Sequence, residues 1–199
     1  MNQPEIIRKC VFVIGPESTG SKLIARICSH VLKITTFDAW GGGGWCDRGE
    51  HKVCHRSLPA GDNRQYPDIE AWIAQNNKDY ELYFILTTRD ITMSELSRFK
   101  RFWSWSMAEF QKQSEDAREI MLTVMRSDQR CFIWSYESFM FLRGDYLQSL
   151  YAFLGVEADF LPELVDANTN KVVRPRVLMR FLTRRLNYLK QRFRRIAGI

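Results

Sequence analysis

This chain predicts a three-layer α/β domain with a central, mainly parallel sheet of about four to five strands. Short runs such as Glu81–Thr88 (ELYFILTT) are apolar on both faces, the composition of strands covered above and below. They alternate with longer stretches whose apolar residues recur at helical spacing. The 199 residues are 45% apolar, enough for one packed core and too many for global disorder.

The elements follow in order. Lys9–Gly15 (KCVFVIG) is β-branched and aromatic and ends in Gly-Pro, which reads as a buried strand. Gly20–Lys33 places Leu23, Ile24, Ile27, Val31 and Leu32 on one helical face. Ile34–Phe37 reads as a second short strand. Four consecutive glycines, Gly41–Gly44, lie between Trp40 and Trp45 and have too much backbone freedom for a regular element, so they predict a loop. Lys52–Ser57 resumes as a strand. Pro67 opens a helix running to about Asn76, with Ile69, Trp72 and Ile73 inward. Glu81–Thr88 is the strongest strand, and Ile91–Ser127 is helical, broken into two pieces. Arg130–Ser135 (RCFIWS) is another buried strand, followed by helices near Phe139–Leu142 and Tyr146–Leu154.

Charge divides the chain into an α/β domain at 1–173 and a terminal segment at 174–199. Nine cations and no carboxylate fall in the last segment, so the formal +6 leaves the preceding 173 residues at a net −3. The high pI is thus a property of the terminus, and no nucleic-acid partner is expected. From Arg176 onward, Leu178, Leu182, Leu186, Leu189, Phe193 and Ile196 form one face of an amphipathic basic helix. That helix either packs on the domain or contacts an anionic membrane surface or a polyanionic substrate. No apolar run reaches the roughly 18 residues of a membrane span. Met1–Lys9 carries Glu5, Arg8 and Lys9 and lacks the apolar centre of a signal peptide. Five cysteines at irregular spacings do not make a disulfide framework, and a reduced, cytoplasmic setting is the expectation.

The chemistry concentrates in Gly15-Pro16-Glu17-Ser18-Thr19-Gly20-Ser21-Lys22, which joins a strand to a helix. Backbone N–H groups at a helix start lack intrahelical partners, and the helix dipole there favours negative charge. Gly20 permits close approach of a phosphate, Ser18, Thr19 and Ser21 offer hydroxyls, and Lys22 adds a cation. The two glycines fit the nucleoside-triphosphatase loop, giving a P-loop-like pattern. Ser21 and Lys22 stand in swapped order, however, which turns the lysine by about 100° around the helix and removes the hydroxyl that would hold magnesium.

Taken together, this loop, the strand ending Thr87-Thr88-Arg89-Asp90 and Ser97 eight residues beyond Arg89 resemble the sulfotransferase family that uses 3′-phosphoadenosine 5′-phosphosulfate. Pro16 through Lys22 is similar to the family's loop for the donor's 5′-phosphosulfate, with Gly20-Ser21-Lys22 matching a Gly-Thr-Arg variant. The resemblance implies that Arg89 and Ser97 hold the donor's 3′-phosphate. An arginine fork and a hydroxyl on the next helix can clamp one phosphate, and Ser94 competes with Ser97 for that role. Phe132–Glu137 and Leu150–Val156 also resemble later family segments, so the likeness spans most of 8–156. Departures are Ser18, where many members have a cation, and the C-terminal donor segment, for which Lys171 and Arg174 are candidate substitutes.

The implied reaction is in-line transfer of the sulfuryl group to an acceptor hydroxyl, a carbohydrate's among the candidates. It needs a base and cations at the leaving phosphate, and no metal. Lys52-Val53-Cys54-His55-Arg56-Ser57-Leu58-Pro59 resembles the cytosolic branch's Lys-Thr-His-Leu-Pro, which makes His55 a base candidate near its ordinary pKa of about 6.5. Lys22 is a further catalytic candidate, with Lys52 and Arg56 as helpers, and Asp38 is the alternative base. Cys46, His51, Cys54 and His55 raise a zinc reading, but their spacing fits no common module, and strand alternation would send Cys54 and His55 to opposite faces. Trp40, Trp45, Trp103 and Trp105 are assigned to no site. Two other functions compete: a P-loop kinase using ATP and magnesium with Asp38 or Asp90, and a non-catalytic anion- or membrane-binding module.

Overall fold

The computed structural model describes residues 8–34, 38–39, 51–60, 64–101, 106–163, 182–183 and 185–187. The strands are β1 (Lys9–Pro16), β2 (Asp38–Ala39), β3 (Lys52–Leu58), β4 (Glu81–Thr88) and β5 (Arg130–Ser135). The helices are α1 (Ser21–Val31), α2 (Ile69–Asn76), α3 (Ile91–Arg101), α4 (Met107–Arg126), α5 (Tyr136–Leu142) and α6 (Gly144–Leu154). The sheet runs β2-β3-β1-β4-β5 with every pairing parallel.

Parallel strands need crossovers, and the crossover helices bury both faces of the sheet. Period-2 alternation sorts each strand between two cores. Val11 and Val13 of β1 face Ile24, Ile27 and Cys28 of α1, with Phe139, Leu150 and Leu154 beside them. Cys10, Phe12 and Ile14 face Trp72 of α2 and Ala117 and Val124 of α4. Trp72 is fully buried and stacks on Phe12 at 4.5 Å between ring centroids. The expected three layers therefore form, with α1, α5 and α6 on one side and α2 and α4 on the other.

Several boundaries differ from expectation, each for a local reason. Ile34 is not in a strand: its N–H donates to Ser29 O at 2.8 Å and finishes the α1 terminus. The short strand is Asp38–Ala39, while 35–37 lie outside the described residues. α2 begins at Ile69 rather than Pro67, because the Asp68 carboxylate accepts from Ala71 N–H at 2.9 Å and caps it. The break after α3 is followed by a capping box in which Ser106 and Glu109 satisfy each other's backbone N–H. The glycine run at 41–44, Cys46, Trp40, Trp45, Trp103, Trp105, Lys171 and Arg174 lie outside the described residues. Of the 174–199 segment, residues 182–183 and 185–187 are described, and they are helical.

Topology also places a crevice. The connection leaving β1 runs through α1 toward the β2 edge, and the connection leaving β4 runs through α3 and α4 toward β5. The two chains part at the carboxyl ends of adjacent strands, where open parallel sheets bind ligands. β1 and β4 approach so closely there that a Cβ on Gly15 would lie 2.2 Å from Thr87 Oγ1.

Candidate functional site

At the end of β1 the backbone turns through two left-handed positions, Ser18 at φ 71° and Gly20 at φ 89°. Glycine takes this conformation freely, whereas a serine there is strained and must be held by its surroundings. Two contacts hold it. Arg89, just past β4, donates from Nη1 to the Ser18 carbonyl at 2.9 Å. Ser94 of α3 donates its hydroxyl to the Glu17 carbonyl at 3.1 Å. Gly20 ends the turn as the residue before α1, which has no side-chain cap; Leu23 and Ile24 N–H donate to Gly20 O at 2.9 and 3.3 Å, which leaves the N–H groups of Ser21 and Lys22 without an intrahelical acceptor.

Thr19 departs from expectation. Its hydroxyl donates to Pro16 O at 2.7 Å and lies 2.7 Å from Thr87 Oγ1, and its N–H is spent on Pro16 O at 3.3 Å. At 1% exposure it pins the turn to β4 and presents nothing to the crevice. The other residues predicted for donor binding come together: Ser18, Gly20, Ser21, Lys22, Arg89 and Ser97 line one cleft of about 410 Å³. His55 lines it too. Of the two α3 serines, Ser94 braces the loop and Ser97 lines the cleft.

His55 lies in β3 opposite Val13, and its Nε2 is 3.0 Å from Ser21 Oγ. Burial, then repulsion from Lys22 and Arg56, pushes its pKa down to about 4. The expectation of an ordinary value is therefore corrected: this imidazole is neutral at pH 7. Cys54, its predecessor, points into the opposite core beside Phe12 and Trp72. His51 accepts the Lys9 N–H at 3.1 Å, at the far end of the sheet. Among the described residues no group of three metal-ligating side chains forms.

Lys52 is also at that far end, with its ammonium 4.4 Å from the Tyr80 ring centroid, so it cannot assist His55. Arg56 acts on His55 through its charge. Asp38 pairs with Cys54 across β2 and β3, one register position before Ala39, the partner of His55. Asp90 caps α3 by accepting from Met93 N–H at 2.9 Å.

Three participants were not anticipated. Ser57 lies two positions beyond His55 on the same strand face and lines the cleft, as strand period alone would have indicated. Glu17 also lines it, and its charge acts on the buried Arg98. Tyr136 supports the Arg89 guanidinium 4.5 Å from its ring centroid and packs where a Cβ on Gly20 would sit, at 3.3 Å. No local pattern links Tyr136 to Arg89 or to Gly20, both far earlier in the chain. The cleft can accept an anion through helix N–H groups, two cations and four serine hydroxyls, with a neutral proton acceptor beside it. No family model matches this chain, and no curated protein or solved structure matches it.

Proposed function

We propose that this protein is a P-loop-like sulfotransferase, transferring the sulfuryl group of 3′-phosphoadenosine 5′-phosphosulfate to an acceptor hydroxyl. The observation that carries the reading is the gathering of the Ser18–Lys22 turn, Arg89, Ser97 and His55 around one cleft. These residues were singled out by four separate stretches of sequence, and they suit a ligand with anions at two ends. The donor supplies an activated sulfuryl group in the reaction. The α1 N-terminus, Ser21 and Lys22 are suited to its 5′ end, and Arg89 with Ser97 to its 3′-phosphate.

His55 acts as the base. Its neutral ring accepts the acceptor's proton as the hydroxyl oxygen attacks sulfur and the bond from sulfur to the bridging oxygen breaks. Lys22 stabilises the charge gathering on the departing phosphate. Binding a polyanion beside Lys22 and Arg56 offsets their repulsion of a protonated ring, so the donor itself makes His55 more basic. Asp38 is the alternative base, on the strand adjoining β3.

Thermal unfolding tests the reading. 3′-Phosphoadenosine 5′-phosphate should raise Tm without magnesium, while ATP with magnesium should not. The reverse pattern would assign the protein to the kinases. Ser97→Ala should weaken 3′-phosphoadenosine 5′-phosphate by about 10-fold and adenosine 5′-phosphate hardly at all, the difference of one hydrogen bond to a charged group, and it leaves intact the Arg89 bond that holds the Ser18 turn. Equal losses for both nucleotides would reject the assignment of the α3 end of the cleft to the 3′-phosphate.

A further inference from the structure

The hydroxyl that His55 meets is that of Ser21. Ser21 Oγ lies 3.0 Å from His55 Nε2, and both residues line the same space of about 410 Å³. A hydroxyl within hydrogen-bond reach of a neutral imidazole is the arrangement of an activated nucleophile. Burial and the charges of Lys22 and Arg56 keep the ring neutral, so with its proton on Nδ1 it accepts the Ser21 O–H at Nε2. Ser21 is 5% exposed, which sets it in the wall of the cleft rather than out in bulk water.

The backbone around Ser21 completes such a site. β1 ends at Pro16, the chain turns through Ser18 and Gly20 at positive φ, and α1 begins at Ser21. A serine set at a sharp strand-to-helix turn has its hydroxyl at the carboxyl edge of a parallel sheet, where the next N–H can meet the oxygen of a carbonyl under attack. Here that N–H belongs to Lys22 and has no intrahelical acceptor. The Lys22 side chain is exposed and lines the cleft, which adds a cation for the oxyanion. His55 comes from β3, 34 residues further along the chain, and such groupings are defined by geometry and roles rather than by sequence position.

We propose that Ser21 and His55 form a nucleophile–base pair that hydrolyses carboxylic esters carrying an anionic group in the acyl part. Ser21 Oγ bonds to the carbonyl carbon, and its proton passes to His55 Nε2. The tetrahedral adduct then collapses: the carbon–oxygen bond to the leaving alcohol breaks, and the alcohol takes the proton from His55. Water gives a proton to His55 and attacks the acyl-serine, and the acid departs as Ser21 recovers its proton. Lys22 and Arg89 in the cleft, set against the carboxylate of Glu17, select the anionic acyl group. That anion also offsets the repulsion of Lys22 and Arg56 on the imidazolium formed during the reaction. The activity goes beyond the sulfotransferase reading, since it uses the same cleft and His55 with no nucleotide.

The test mixes the full chain with the 4-nitrophenyl monoester of succinic acid. 4-Nitrophenol should appear in a burst of about one equivalent, followed by slower turnover. Mass spectrometry of the acid-quenched protein should place the succinyl group on Ser21. 4-Nitrophenyl acetate, which lacks the carboxylate, should acylate about tenfold more slowly. Ser21→Ala should abolish the burst, and His55→Gln should slow acylation by about 100-fold or more. Ser21→Cys keeps a nucleophile in place and should be alkylated by iodoacetate faster than Ser21→Cys combined with His55→Gln, which a merely structural hydrogen bond would not cause. Release of 4-nitrophenol at the rate of buffer, a burst that persists in Ser21→Ala, or succinylation of Lys22 in place of Ser21 overturns the proposal. Nucleotide-induced changes in Tm report on the sulfotransferase reading alone, so the two readings fail separately.

Discussion

His55→Gln isolates the electrostatics on which the proposed chemistry depends. The unfolded chain protonates this histidine near its ordinary 6.5, while the folded protein does so only near 4. Between those values the unfolded state binds more protons than the folded one, so stability falls as pH falls through that window. Above pH 6.5 both states are neutral and the residue contributes no pH dependence. Each pKa unit corresponds to about 1.4 kcal/mol, so the full loss below pH 4 is about 3 kcal/mol, and at pH 4.5 most of it has occurred. Glutamine keeps a polar group within reach of Ser21 but cannot titrate. The assay is urea unfolding of parent and variant at pH 7.5 and pH 4.5. The parent should lose about 2–3 kcal/mol more than the variant on acidification. Equal losses would show that His55 titrates alike in both states, and the argument from burial, Lys22 and Arg56 would fail. Lys22→Met should raise the folded pKa by removing one repelling charge, and so return part of the lost stability.

The close approach of β1 to β4 makes Gly15→Ala destabilising by about 3 kcal/mol in urea unfolding, because the added carbon meets the Thr87 backbone as well as its hydroxyl; a neutral result would mean that the strands part cheaply. Thr19→Val keeps the shape and removes the bonds to Pro16 and Thr87, so stability should drop by about 1–3 kcal/mol. Ser18→Ala, by contrast, should leave unfolding nearly unchanged and weaken nucleotide binding in titration calorimetry. Gly20→Ala should cost about 1–2 kcal/mol for its left-handed φ of 89° and crowd Tyr136; wild-type stability would contradict the described turn.

Much of the fold was legible because each element advertises itself locally. β4 runs from Glu81 to Thr88, as its double-sided apolar run indicates, whereas Arg130–Ser135 forms the expected strand but not a buried one: β5 is the sheet edge, with Trp134 buried and Ile133 49% exposed. Boundaries slipped where a cap decided the matter, as when Asp68 started α2 two residues after Pro67. The cleft was legible in its chemistry: Ser18, Gly20, Ser21, Lys22, Arg89 and Ser97 do share one space. Thr19 misled because a hydroxyl in such a loop looks like a ligand until its neighbours are known. Lys52 misled because three residues along an extended strand carry a side chain about 10 Å away.

From residue order alone came the alternation of strands and helices, the turn between β1 and α1, and the separate cationic terminus. These are local properties of side-chain period, backbone freedom and charge. Tertiary structure alone decided that β1 lies between β3 and β4 and that Arg89 folds back onto Ser18. It also decided that Tyr136 backs that arginine, and that burial beside Lys22 and Arg56 leaves His55 neutral. Each depends on residues distant in sequence, and on the loss of water around charges that only packing can bring about.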